Sequence, residues 1–168
     1  MIHTDTTAFR PPGAGAVAVL FFQKEPTRMT FFDPQTGDMC FTGGLCLKGG
    51  MDVRQIDPHQ RHTGAQDAVY CLPGLPVEGG RLAAVLTAGA QGLHTIRLTV
   101  ASVTGRQQTP GERQRAFLFE RFQLSDPCPD TLQNVRITAP FGRLTLYTDP
   151  VTGQAGALVE YRLTETQA

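Results

Sequence analysis

Residues 93–103 read LHTIRLTVASV, and this stretch carries the clearest structural signal in the 168-residue chain. Ile96, Leu98 and Val100 alternate with Arg97 and Thr99, so an extended backbone places the apolar side chains on one side and the polar ones on the other. The stretch is also rich in β-branched residues, which favour strands. The pattern therefore predicts a β-strand with one buried face.

Similar short apolar runs recur along the chain. Between them stand 18 glycines and 12 prolines, which leave few windows for a helix longer than two turns. The run RLAAVLTA at residues 81–88 also fits helical spacing, but its brevity and its flanking glycines favour a strand. Besides residues 93–103, the predicted strands are 16–22, 28–32, 38–41, 45–53, 68–72, 82–87, 116–124, 135–138, 143–148 and 157–164.

The run AFLFERFQL at residues 116–124 has a less regular pattern than the others. Read as a strand, it places Phe117, Phe119 and Arg121 on one side and a second apolar set, interrupted by Glu120, on the other. Both sides are then expected to meet apolar surroundings over part of their length. We expect one of them to be an interface.

The motif D-P-x-T-G occurs twice between apolar runs, at residues 33–37 and 149–153. Proline presets the backbone of the second turn position, and the aspartate carboxylate accepts hydrogen bonds from the turn backbone. Glycine takes the positive φ angle that returns the chain to the ladder. Each motif predicts a tight hairpin loop between antiparallel strands. The sequences around the two motifs differ, so they do not indicate a duplicated domain.

Recurring strands without alternating helices predict an all-β fold, a single antiparallel β-sandwich of the immunoglobulin-like or jelly-roll-like kind. A small β-barrel is the alternative. The length fits one domain, with residues 1–13 as a flexible N-terminal arm and residues 14–168 as the sandwich. The long connections at 57–67 and 125–134 are the expected places for function on such a scaffold.

The bulk composition narrows the classes of partner and compartment. Fifteen basic and fifteen acidic residues cancel, so nothing in the net charge favours nucleic acid or an anionic membrane. The apolar run AGAVAVLFF is only nine residues long, which is too short for a membrane span, and it lacks the flanks of a signal peptide. Four sparse cysteines are expected to be reduced thiols. These features predict a cytoplasmic protein without membrane contact.

A zinc site is one alternative that the sequence raises. Cys40, Cys46, His59 and His62 follow the spacing C-x5-C-x12-H-x2-H, with Cys71 as a substitute ligand. The middle spacing imitates a zinc finger, but both outer spacings miss the usual values. Cysteine in strands is more often a small buried residue, so we expect core cysteines and exposed histidines, with no cofactor.

No catalytic constellation stands out in the sequence. Ser102 and Ser125 are the only serines, and neither lies in a nucleophile motif. Cys128 has acidic neighbours, which blunt the reactivity of a thiol. The glycine-rich stretch GGLCLKGG matches neither phosphate-binding pattern. Glu120 and Glu160 interrupt apolar faces and are expected to pair with nearby arginines. We therefore expect no enzyme activity and assign no catalytic residue.

Single-stranded nucleic acid is the second alternative. The sequence from Arg106 to Phe122 interleaves arginines with phenylalanines, as in surfaces where arginines contact phosphates and rings stack on bases. Glu112 and Glu120 dilute the positive charge, and phenylalanines in strands usually belong to the core. Nucleic-acid binding is therefore not the favoured hypothesis.

The favoured hypothesis is a non-catalytic binding or structural module that contacts a protein partner, or a second copy of itself through an edge strand. Small bacterial domains and virion or assembly accessory proteins match such a description. The candidate contact residues combine the arginine and phenylalanine segment with the first long loop. They are Arg113, Arg115, Phe117, Phe119, Arg121, His59, Arg61 and His62.

Overall fold

The computed structural model describes residues 30–52, 56, 68–104 and 110–163. The predicted arm at residues 1–13, the predicted strand at 16–22 and the first long loop at 57–67 lie outside these ranges. The described elements are, in chain order, β1 (Met39–Cys40), β2 (Cys46–Leu47), β3 (Ala68–Val77), β4 (Gly80–Gly89), β5 (Gly92–Val103), α1 (Pro110–Arg121), β6 (Val135–Ala139), β7 (Gly142–Thr148) and β8 (Ala155–Tyr161).

Six strands form one antiparallel sheet in the order β3-β4-β5-β8-β7-β6, and β1 and β2 form a separate two-stranded hairpin. The prediction of a mostly β chain is confirmed, including a strand over the ambiguous run at 81–88. The described strands do not close on themselves, so neither a sandwich nor a barrel is confirmed.

The core lies on one face of the six-stranded sheet. A single row across it runs Leu86, Ile96, Val159, Leu144 and Ile137, each at most 7% exposed. Helix α1 packs over this face against β5, β7 and β8. The opposite face carries polar and charged residues such as Arg97, as the alternation in residues 93–103 predicts.

The prediction of a strand at residues 116–124 is wrong, because most of this run belongs to helix α1. Its buried side chains include Arg115, Leu118 and Phe119, and Phe122 directly after the helix continues the spacing of the same helical face. The helix ends in a Schellman motif. Gln123 has a φ of 57°, its N–H donates to Glu120, and the next N–H donates to the Phe119 carbonyl at 2.8 Å.

Both D-P-x-T-G motifs form the predicted hairpin loops. In the second, the Asp149 carboxylate accepts a hydrogen bond from the Val151 N–H at 2.8 Å, and Gly153 has a φ of 71°. In the first, the Asp33 carboxylate accepts from the Gln35 N–H at 2.8 Å. The second loop connects β7 to β8, and the first is bounded by a bridge between residues 32 and 39.

A disulfide joins Cys40 and Cys46 across the β1–β2 hairpin, so the expectation of reduced thiols is wrong at these two positions. Pairing places the two cysteines directly opposite each other, while the neighbouring Met39, Phe41 and Leu47 are buried in the core. Cys71 and Cys128, in contrast, are free thiols, so only two of the four cysteines are paired.

Reducing this disulfide is expected to lower the free energy of unfolding by about 2 kcal/mol, because the bond closes only a short loop in the unfolded chain. Guanidinium denaturation with and without dithiothreitol measures the difference, and a Cys71→Ser/Cys128→Ser variant controls for the free thiols. Alkylation before reduction should modify two of the four cysteines. Modification of all four would contradict the bond. Because disulfides persist in oxidising compartments, a stable bond would also weigh against the cytoplasmic expectation.

Candidate functional site

Strand β6 forms one end of the six-stranded sheet, with β7 on one side and no described strand on the other. A two-residue turn, Pro140 and Phe141, connects it to β7, with Ala139 opposite Gly142. Gly142 has a φ of 147°, and a Cβ atom there would lie 1.9 Å from the Glu160 carbonyl oxygen. Only glycine fits at this point, where the chain turns back close to β8.

The hydrogen-bonding direction of β6 follows from its neighbours. Across the β7–β8 ladder, the Arg162 N–H donates to the Phe141 carbonyl at 2.7 Å. Because antiparallel ladders alternate, Gly142 and every second residue after it direct their backbone groups toward β6 instead. Their partners on β6 are residues 139, 137 and 135. The backbone N–H and C=O groups of Arg136 and Thr138 therefore point to the open edge, which is the side of β6 on which no described strand lies.

The side chains of β6 alternate between the two faces of the sheet. Val135 and Ile137 are each 7% exposed and belong to the core, whereas Arg136 and Thr138 are exposed. The strand thus offers a continuous apolar row on one face, a polar row on the other, and backbone groups at its edge.

Arg115 fixes the chain just before β6. Its guanidinium, only 3% exposed, forms an ion pair with Asp126 through Nε and donates from Nη2 to the same carboxylate at 2.9 Å. Nη2 also donates to the Gln133 carbonyl at 2.7 Å, and Nη1 donates to the Thr148 hydroxyl at 3.2 Å. The guanidinium lies 5.0 Å from the centre of the Phe119 ring. One side chain therefore links α1, the loop at 125–134 and β7.

The charge of Asp126 is stabilised by this arrangement. Burial alone would raise the pKa of the carboxyl, but the hydrogen bonds from Arg115 and from the Cys128 N–H outweigh it and hold the pKa below its usual range. The pair is therefore ionised at neutral pH, and it holds the loop at 125–134 in place beneath the start of β6.

The other end of β6 is held by aromatic packing. Phe141 is 8% exposed and makes edge-to-face contacts with Phe32 at 5.7 Å and with Tyr161 at 6.0 Å between ring centres. The Tyr161 hydroxyl donates to the Gly37 carbonyl at 2.7 Å in the first hairpin loop. Both ends of β6 are therefore anchored, and the strand between them is preorganised.

The opposite end of the sheet, β3, has a less regular edge. Pro73 and Pro76 remove two backbone donors, and the ladder with β4 shifts register between Leu72 and Leu75. The Pro76 carbonyl already accepts a hydrogen bond from the Thr42 N–H at 2.9 Å. Prolines and bulges of this kind discourage pairing with a further strand.

The structure places the arginine and phenylalanine candidates mostly in the interior. Arg115, Phe117 and Phe119 are 3%, 6% and 3% exposed, so they belong to the core and not to an exposed strand surface. The exposed stacking platform expected for nucleic acid is therefore not formed by these rings. His59, Arg61 and His62 lie outside the described residues.

Arg113 and Arg121 line a cavity of about 280 Å³ between α1 and the β3–β4 turn. Arg121 donates to Glu120 at 2.9 Å and to Glu78 at 3.3 Å, and its guanidinium stacks on Phe117 at 5.6 Å. Acidic and basic side chains are balanced in this cavity, so it presents no net charge to a ligand.

The zinc alternative loses two of its ligands in the structure. Cys40 and Cys46 are joined to each other and cannot serve as thiolate ligands while the bond is intact. Cys71 lies on β3 and is exposed, so the expectation of a core cysteine is wrong at this position. Within the described ranges, no group of three or more histidine, cysteine, aspartate or glutamate side chains is arranged to hold a metal ion.

The exposed edge residues Arg136 and Thr138 were not among the sequence candidates. The pattern V-R-I-T-A at 135–139 signals a strand, but nothing in it shows that the strand ends a sheet. Edge position depends on strand order, which becomes visible only in the folded chain.

No family model, no curated protein and no solved structure is significantly similar to this chain. Among the described residues, none of the helical structure has the length and apolar character that crossing a bilayer requires. Function therefore has to be inferred from the geometry of the chain itself.

Proposed function

We propose that this protein is a non-catalytic binding module that accepts an extended polypeptide segment along the edge of β6. The observation that carries the proposal is that the backbone N–H and C=O groups of Arg136 and Thr138 face the edge of a strand that is anchored at both ends. Addition of a strand to such an edge is a recurrent mode of peptide recognition, in which main-chain hydrogen bonds position the ligand and alternate side chains select it.

The magnitudes set a requirement for the ligand. Two outward-facing residues offer two donors and two acceptors, and four hydrogen bonds at about 0.5–1.5 kcal/mol each contribute about 2–6 kcal/mol net. Association costs about 4–15 kcal/mol in lost translational and rotational freedom. Backbone pairing alone is therefore too weak. The ligand is expected to carry an apolar residue that extends the buried row beyond Ile137.

The edge of β6 is favoured over that of β3 for two reasons. Its neighbours hold it in an extended conformation at both ends, so binding requires little ordering of the protein. It also contains no proline, whereas β3 is interrupted by two prolines and a register shift.

Arg136→Pro is expected to abolish binding of a strand peptide, because proline removes one of the two outward-facing N–H groups while remaining tolerated on an edge. The probe is a fluorescently labelled peptide with the sequence of residues 133–141, QNVRITAPF, and the measurement is fluorescence anisotropy. Arg136→Ala is the matched control, since it removes the side chain and keeps the N–H. We expect the affinity for the peptide to fall at least tenfold in Arg136→Pro and to change little in Arg136→Ala.

Two outcomes would overturn the proposal. One is the absence of saturable binding to the wild-type protein, and the other is equal weakening by proline and alanine, which would indicate a side-chain contact. Should Arg136→Pro fail to fold, a peptide methylated on alternate backbone nitrogens tests the same hydrogen bonds from the ligand side. Methylation of the edge-facing nitrogens should then prevent binding, and methylation of the intervening ones should not.

A further inference from the structure

Resting on the proposed function of the β6 edge, we infer that the segment it accepts is β6 of a second copy, paired antiparallel with Ile137 opposite Ile137. The sequence V-R-I-T-A has the same alternation of apolar and polar residues in both directions. A strand with this symmetry is complementary to itself when the second copy runs antiparallel. The contact has the two-fold symmetry that is most common among homo-oligomers.

The backbone groups match in this register. Arg136 of each copy lies opposite Thr138 of the other, and these are the two residues whose N–H and C=O groups face the open edge. Each such pair exchanges two hydrogen bonds, so the complete contact contains four. Ile137 then forms the central pair without hydrogen bonds, where side chains approach most closely.

The side chains also match. On the face of the sheet that carries the core, Ile137 lies opposite Ile137 of the second copy and Val135 lies opposite Ala139. This contact extends the apolar row of the core from one copy to the other. On the other face, Arg136 meets Thr138, so no like charges are opposed. The net charge of zero adds no overall repulsion between copies.

Neighbouring registers are less favourable. A contact centred on Arg136 opposes two guanidinium groups directly. A contact centred on Thr138 places Arg136 opposite Pro140, which has no N–H to donate. A shift by one residue places apolar side chains of one copy on the polar face of the other. Only the register centred on Ile137 satisfies both the backbone and the side chains.

Cysteine cross-linking tests the register in the full-length protein. Cys71 and Cys128 are first replaced with serine, which leaves only the Cys40–Cys46 disulfide. In this background, Arg136→Cys and Thr138→Cys are prepared separately, and both positions are exposed. Mild oxidation of a mixture should yield covalent dimers containing one of each variant, since the two positions face each other at a distance that a disulfide spans. Oxidation of either variant alone should yield at least several-fold less covalent dimer than oxidation of the mixture.

The buried position supplies a second measurement. On oxidation, Ile137→Cys alone should form a covalent dimer with itself. Analytical ultracentrifugation of the wild-type protein should show a monomer–dimer equilibrium, which Arg136→Pro should abolish and Arg136→Ala should retain. The mixture test does not depend on whether the buried substitution folds, because it uses exposed residues.

The results separate this inference from the proposed function. Binding of the 133–141 peptide without dimers or mixed cross-links would mean that the edge accepts an extended segment but that two folded copies do not pair, and the inference of a second copy would be wrong. Self-cross-linking of Arg136→Cys above the mixed product would also overturn it by indicating another register. If neither peptide binding nor cross-linking occurs, both the function and the inference fail.

Discussion

Replacing Arg115 with methionine is expected to lower the free energy of unfolding by about 3–5 kcal/mol, the usual cost of removing one partner from a buried ion pair. The guanidinium is only 3% exposed and contacts Asp126, Gln133 and Thr148. Methionine fills a similar volume but leaves the Asp126 carboxylate without its charged partner. Urea or guanidinium denaturation, monitored by circular dichroism, measures the loss.

The exposed pair between Arg143 and Glu160 provides the matched control. Its charged atoms are 3.3 Å apart, and both side chains are more than a third exposed. Arg143→Met makes the same chemical change and should cost no more than about 1 kcal/mol. Similar losses for Arg115→Met and Arg143→Met would contradict a special role for the buried pair.

The buried pair should also be visible in the pH dependence of stability. The pKa of Asp126 is lower in the folded protein than in the unfolded chain. Its contribution to the free energy of unfolding is therefore complete above the unfolded pKa of about 3.9, and it is lost as the pH falls through the folded pKa. In Arg115→Met, burial without the partner raises the pKa of Asp126 instead. The stability difference between wild type and variant should therefore shrink on acidification. A constant difference would show that Asp126 is not the group involved.

Gly142→Ala is expected to destabilise the protein by about 4 kcal/mol or more, or to prevent folding, which places it among the exceptional single substitutions. Gly142 has a φ of 147°, which side-chain-bearing residues rarely adopt, and an added Cβ would lie 1.9 Å from the Glu160 carbonyl oxygen. Relief requires a shift of the β7–β8 ladder, because the clash is with backbone atoms. Thermal unfolding of the purified variant, or its failure to accumulate in soluble form, gives the result.

Gly44→Ala separates the clash from the strain of the backbone angle. Gly44 also has a positive φ, 96°, but an added Cβ would meet no heavy atom within 4 Å. Its cost should stay near about 1–3 kcal/mol, the range for a strained φ alone. If alanine at Gly142 costs no more than alanine at Gly44, the close approach between β7 and β8 is not as tight as the structure indicates.

The hairpin loops show which parts of the fold are local enough to predict. In both D-P-x-T-G motifs, the carboxylate acceptor, the turn-forming proline and the glycine with positive φ lie within five residues. Every interaction that defines the loop is therefore contained in the motif. The long strand β5 was predictable for a similar reason, because its alternation reports directly on burial.

Helix α1 was missed although the sequence carries helical signals. The residues T-P-G-E at 109–112 match a capping-box pattern with proline at the first helical position. The buried stripe, however, contains Arg115, which a hydrophobicity pattern counts as polar. Its burial depends on Asp126, eleven residues later, and on a carbonyl near β6. Local periodicity does not contain that information.

The candidate site depends on long-range pairing in the same way. The strand at 135–138 was predicted within one residue of its observed end. Its position at the edge, however, follows from the pairing of β5 with β8, and these two strands lie more than fifty residues apart in the sequence. The disulfide, too, depends on how β1 and β2 align. Sequence patterns therefore predict the strands better than they predict which backbone groups stay unpaired.

The prolines in β3 have a consequence for the size of any assembly. Once β6 is occupied, a further molecule would have to add to the sheet at β3, where Pro73, Pro76 and the register shift after Leu72 interrupt the ladder. Growth of the combined sheet into a fibre would need a regular edge on both sides. The inferred pairing of β6 with β6 would therefore stop at two copies, because β3 offers no regular edge to a third copy even at high protein concentration.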